Sequence, residues 1–135
     1  MTRALRWWLV SLIWSALATW PALAGHGTGG PMLAIPPDYA KRLVDEGDRP
    51  IFFDLRPAEA FGKGRVPGAR SLPLSDLRRR AGEVPRTGRV ILYCACPPLE
   101  VQAAYQFLRD QGYRNTSVME DGFPGWVKLG YPVER

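Results

Sequence analysis

The chain has 135 residues, 18 lysines and arginines against 13 acids, and a formal net charge of +5. That length holds one small domain, and a 46% hydrophobic content is too high for a disordered chain. The one basic run, Arg78-Arg79-Arg80, lacks interleaved aromatics and reads as a solvated helix face, so the excess of base does not point to a nucleic-acid partner.

Arg3 and Arg6 precede an apolar stretch from Trp7 to Leu17 that only Ser11 and Ser15 interrupt. Pro21 follows, and Ala22-Leu23-Ala24 has the small-x-small form of a cleavage site. This is the pattern of an export signal over residues 1–24, whose removal leaves a periplasmic or secreted protein. The competing reading is an uncleaved anchor, but a spanning helix wants about 20 apolar residues, and Pro21 and the Ser and Thr residues shorten this stretch. No stable membrane span is expected after cleavage. Residues 25–34, which include GHGTGGP, read as a flexible linker, and residues 35–135 as the domain. His26, the sole histidine, lies in that linker, away from any site that needs a positioned base. With only two cysteines besides, no zinc site and no cofactor is expected.

In the domain, Ile35-Pro36-Pro37-Asp38 opens a short helix that ends at Gly47. Pro50 to Leu55 is an apolar run with the length of a buried strand, and it carries Asp54 and then Arg56 at its end. Pro57 to Phe61 is a helical turn. Gly64 to Ala69 turns into a short strand at Arg70 to Leu72, and Ser75 is a candidate N-cap for a helix through Arg80. Val90 to Tyr93 is a central strand. Val101, Ala104, Tyr105 and Leu108 have helical spacing up to Gly112, Thr116 to Met119 is another strand, and Asp121 to Trp126 turns into a last helix. Strands alternating with helices give an α/β domain with a central parallel sheet of about five strands and helices on both faces. Sites in such sheets form at the carboxyl ends of strands, where Asp54 and Cys94 stand. Ile51, Phe53, Leu55, Val90, Leu92, Ala104, Leu108 and Trp126 are the expected core.

Cys94 and Cys96 are the only cysteines, and they flank the tip of the central strand where it feeds a helix N-terminus. Such a site favours negative charge, and the thiolate is the reactive form of cysteine. An exported pair can be a structural disulfide, but structural disulfides usually close larger loops, so a pair one residue apart reads as reactive.

Asp54-Leu55-Arg56, Gly64-Arg65-Val66-Pro67-Gly68-Ala69, Tyr93-Cys94, Asp121-Gly122-Phe123-Pro124-Gly125-Trp126 and Gly130-Tyr131-Pro132-Val133 resemble, in order and spacing, the rhodanese-like domain. The resemblance covers about Ile35 to Glu134. It implies a single-domain sulfurtransferase in which Cys94 takes a sulfur atom from thiosulfate or another sulfane donor, holds it as a persulfide, and passes it to cyanide or a thiol. The implied partners are a small sulfur-containing anion or a thiol acceptor, and a redox partner protein. The loop departs from the family pattern: Cys96, Pro97, Pro98, Leu99 and Glu100 stand where a glycine and an arginine or serine usually follow the cysteine. Proline offers no N–H, and a carboxylate such as Glu100 near a thiol raises its pKa and repels anions. Positive charge for a substrate anion would then come from Arg56, Arg65 or Arg70, with Asp54 as a structural partner of Arg56. Cys96 is a second thiol placed to attack a persulfide on Cys94. The alternative reading keeps the fold without sulfur transfer, as a thiol-redox protein cycling Cys94 and Cys96 or as a binding module. For the export segment, N-terminal sequencing of protein from the exported fraction is expected to begin at Gly25; a sequence beginning at Met1 would contradict cleavage.

Overall fold

A computed structural model describes residues 30–135. The expected export segment and His26 lie outside the described residues. Five strands form one sheet in the order β1-β5-β4-β2-β3, all parallel. They are β1 (Ala34–Ile35), β2 (Ile51–Asp54), β3 (Arg70–Ser71), β4 (Val90–Tyr93) and β5 (Thr116–Met119). The helices are α1 (Pro37–Asp45), α2 (Ala58–Lys63), α3 (Leu77–Arg80), α4 (Pro98–Asp110) and α5 (Gly122–Lys128). A 3-10 turn at Ala81–Glu83 extends α3.

The two central strands explain themselves. β4 is buried along its whole length, which is why it reads as an unbroken apolar run and not an alternation. It pairs with β2 from Ile51↔Val90 to Asp54↔Tyr93, and this register brings Asp54 level with the residue before Cys94. Side chains on its two faces enter two cores. Val90, Leu92 and Cys94 join Phe53, Leu108 and Val118, while Ile91 and Tyr93 join Phe52, Met119 and Trp126. The period-two alternation of strand side chains thus puts the Cys94 side chain on the α4 face of the sheet.

Several details differ from the sequence reading. Ala34, assigned there to the linker, lies in β1, and its neighbour Leu33 accepts a hydrogen bond from Val118 N–H at 2.8 Å. The N-cap of α3 is Asp76, not Ser75, and no side chain caps it. Ile51 is only half-buried, whereas the other seven expected core residues are buried. The C-terminal tail closes the domain by a feature that local patterns do not carry: Arg65 and Glu134 exchange two backbone hydrogen bonds of 2.9 Å each as an antiparallel bridge. No helix among the described residues is long and apolar enough to cross a membrane.

Leu92 and Leu108 are both fully buried in one core. Leu92→Ala or Leu108→Ala should cost about 2–5 kcal/mol in denaturant unfolding; a change within about 0.5 kcal/mol, the surface range, would contradict this packing.

Candidate active site

Cys94 follows the last residue of β4 and is 8% exposed, and Cys96 is half-buried. The two are joined as a disulfide across Ala95, with their Cα atoms 5.3 Å apart. The sulfur atoms therefore meet without displacement of the loop.

The loop is held from the opposite side by the start of α5. Phe123 N–H donates to the Cys94 carbonyl at 3.2 Å. Gly122, at φ +50°, lies so close that a Cβ there would overlap the Cys94 carbonyl oxygen. Asp121 before it is also left-handed, at φ 53°, a conformation Asp adopts more readily than most residues. The Asp121-Gly122 pair therefore makes a turn tight enough for α5 to approach the cysteine.

The helix start offers less to an anion than a parallel-sheet site usually does. Pro97 is the N-cap and Pro98 the first residue of α4, and neither has an N–H. The amides of Glu100 and Val101 are already bonded to the Pro97 carbonyl at 2.9 and 3.4 Å. The amides left at this corner are those of Ala95, Cys96 and Leu99, fewer than a helix-start site suggests from the sequence.

A cavity of about 540 Å³ opens beside the pair, within the size range of small-molecule sites. Met32 and Val118 from the β1–β5 edge and Val101 from α4 give it an apolar wall. Glu120 and Asp121, both exposed, supply the charge at its edge. Sequence reasoning read Asp121 as the start of the last turn and did not single out Glu120; their position after β5, next to the strand that carries Cys94, is what brings them to the cavity.

The four residues expected to bind substrate sit elsewhere. Arg56 is buried against Asp54, with hydrogen bonds of 2.6 to 3.1 Å to both carboxylate oxygens and a further one of 2.7 Å to the Gly64 carbonyl. Burial pulls its pKa down, but the hydrogen bonds and charge of Asp54 outweigh this and hold it above the ordinary arginine value. Asp54 and Arg56 thus form a buried ion pair. The neighbouring Tyr93 is pushed upward, first by burial and then by the Asp54 charge, so its hydroxyl stays protonated and accepts the Val66 N–H at 3.2 Å. Arg65 pairs with Glu134 at 2.6 Å, and Glu134, which also accepts the Gly68 N–H at 2.8 Å, is held below the usual carboxylate range by that amide and by Arg65. Arg70 is on β3, separated from β4 by β2, with its guanidinium 6.0 Å from the Phe53 ring centroid. Glu100 faces a different cavity, of about 500 Å³, between α4 and the α3 region. None of the four lines the cavity beside Cys94. Among the described residues, no group of three or more His, Cys, Asp or Glu side chains is placed to hold a metal ion.

The Rhodanese-like domain profile matches residues 36–129. The chain belongs to the rhodanese-like domain family. A sulfurtransferase of Allochromatium vinosum is 29% identical over 94 residues, covering 70% of this chain and 86% of that protein. The thiosulfate sulfurtransferase GlpE of Actinobacillus succinogenes is 28% identical over 100 residues, covering 74% and 88%. Among solved structures, a rhodanese-related protein of Thermoplasma volcanium superposes with a TM-score of 0.67 at 24% identity, over 76% of this chain and 97% of that one, a likeness of fold.

The close approach at Gly122 gives a sharp test. Gly122→Ala should destabilise the domain by more than about 1 kcal/mol, since a left-handed φ and a backbone overlap both oppose the new methyl group. Denaturant unfolding checks it, and an unchanged midpoint would contradict the clamp on Cys94.

Proposed function

We propose that the protein is a sulfurtransferase that works outside the cytoplasm and carries sulfane sulfur as a persulfide on Cys94. The observation that carries this reading is the position of Cys94: at the carboxyl end of the central strand, on the edge of a cavity large enough for a small substrate. Membership of the family and two sulfurtransferase relatives at 28–29% identity support it.

In the reduced protein, the Cys94 thiolate attacks the outer sulfur of a sulfane donor. The bond between that sulfur and the donor breaks, and the donor remainder leaves with the electron pair; with thiosulfate as donor, it is sulfite. Cys94 then bears a persulfide anion. An external thiolate acceptor attacks the outer sulfur, takes it as its own persulfide, and returns Cys94 as a thiolate.

Cys96 provides an internal exit. Its thiolate attacks the Cys94 sulfur, forms the Cys94–Cys96 disulfide and expels the outer sulfur, which takes a proton from water and leaves as hydrosulfide. Two thiols are oxidised and one sulfane sulfur is reduced, so the step needs no outside oxidant. A dithiol reductant then reopens the pair for the next cycle. The 5.3 Å Cα separation, with only Ala95 between, keeps the second thiol at high effective concentration. The thiol-redox reading is thereby absorbed as the second half of one cycle.

Mass spectrometry of reduced variants after exposure to a sulfane donor tests the assignment. Cys94→Ser should carry no added sulfur. Cys96→Ser should load at the parent rate and hold its sulfur longer, because hydrosulfide has lost its exit. Loading of Cys94→Ser at the parent rate, with none in Cys96→Ser, would move the nucleophile to Cys96.

A further inference from the structure

We propose that the cavity beside the Cys94–Cys96 pair takes an uncharged or positively charged small organic thiol as its sulfur acceptor and reductant, and disfavours anionic ones. The proposal rests on the reading of Cys94 and Cys96 as the reacting pair, and it adds the class of molecule that reaches them. Its first support is the charge of the site. Among the described residues, no lysine or arginine lines the cavity, while Glu120 and Asp121 do. This runs against the composition of the whole chain, whose net charge is +5. The three arginines that the sequence offered for a substrate anion do not compensate: Arg56 is paired with Asp54, Arg65 with Glu134, and Arg70 lies beyond β2. Its second support is the wall. Val101 and Val118 are apolar, and Met32, packed against the same core as Cys94, brings a polarisable thioether to the same space, a surface suited to a carbon chain ending in sulfur. Its third support is the helix start, where Pro97 and Pro98 remove two of the amides that would otherwise offset a negative charge on an incoming molecule.

The chemistry at the pair is ordinary exchange. A substrate thiolate RS⁻ attacks one sulfur of the disulfide, forms a mixed disulfide and releases the other cysteine as a thiolate, which takes a proton from water. A second RS⁻ displaces the protein, leaving RSSR and the dithiol. In sulfur transfer the same thiolate attacks the outer persulfide sulfur and departs as RSS⁻. Both reactions bring the R group through the same mouth, past Glu120 and Asp121.

The test uses the oxidised protein and needs no sulfur loading. Rates of Cys94–Cys96 reduction are measured with cysteamine, 2-mercaptoethanol and thioglycolate at low ionic strength. Each rate is divided by that of the same thiol with hydroxyethyl disulfide, which removes intrinsic nucleophilicity. Cysteamine is expected to exceed thioglycolate by about tenfold, with 2-mercaptoethanol between them, and salt should compress the series. In the Glu120→Gln, Asp121→Asn double variant the ratio should fall close to unity; Asn keeps the left-handed conformation at the second position. A parent ratio of one or below, or a preference that persists in the double variant, overturns the proposal. A protein that discriminates among thiols yet never gains sulfur on Cys94 would instead refute the sulfurtransferase reading, so the two failures are distinct.

Discussion

The site depends on one close approach of backbone to backbone. The Cys94 carbonyl lies against Gly122 and accepts the Phe123 N–H, so the loop after β4 and the start of α5 are a single unit. Only a residue without a Cβ fits there, and the left-handed turn at Asp121-Gly122 carries the chain from β5 into α5. A second close packing reinforces it: a Cβ at Gly125 would stand 2.6 Å from the Asp121 Cβ. The same turn that fixes the cysteine sets Glu120 and Asp121 at the edge of the cavity. Backbone geometry and the electrostatics of the mouth are thus consequences of one short segment.

A second constraint is how the positive charge is used. A basic protein handling sulfur anions would be expected to bring arginines to the cysteine. Here the buried Arg56 neutralises Asp54 and ties β2 to the Gly64 carbonyl, while Arg65 anchors the C-terminal tail. Removing one member of a buried pair leaves an uncompensated charge at a cost of about 3–5 kcal/mol, so Arg56 is not available to turn toward a substrate. The arginines serve the frame, and the Cys94–Cys96 pair is left among apolar groups and carboxylates.

Most of the frame was legible in the sequence. PIFFDL and VILY stand out because strands buried on both faces are continuous apolar runs, and Asp54 and Cys94 stand at their carboxyl ends. The pairing of Asp54 with Arg56 was legible because the partners are two residues apart. β1 was not, since two residues, Ala34 and Ile35, carry no period, and their strand character comes wholly from pairing with β5. The partner of Arg65 was hidden for the same reason, being 69 positions away. Glu100 follows the cysteine closely in sequence, yet the helix it begins turns its side chain toward α3 and the other cavity. Glu120 and Asp121 are distant in sequence and adjacent in space, because β5 lies beside β4 in the sheet.

In the proposed cycle sulfur arrives on Cys94 first, and the Cys94–Cys96 disulfide forms as that sulfur leaves. A rapid-quench time course on the reduced parent protein, mixed with one equivalent of a sulfane donor, follows this directly by peptide mass and released sulfide. The account predicts that the Cys94 persulfide rises first and then decays as disulfide and hydrosulfide appear in equal amounts. Disulfide that forms with no preceding persulfide, or persulfide found first on Cys96, would contradict it.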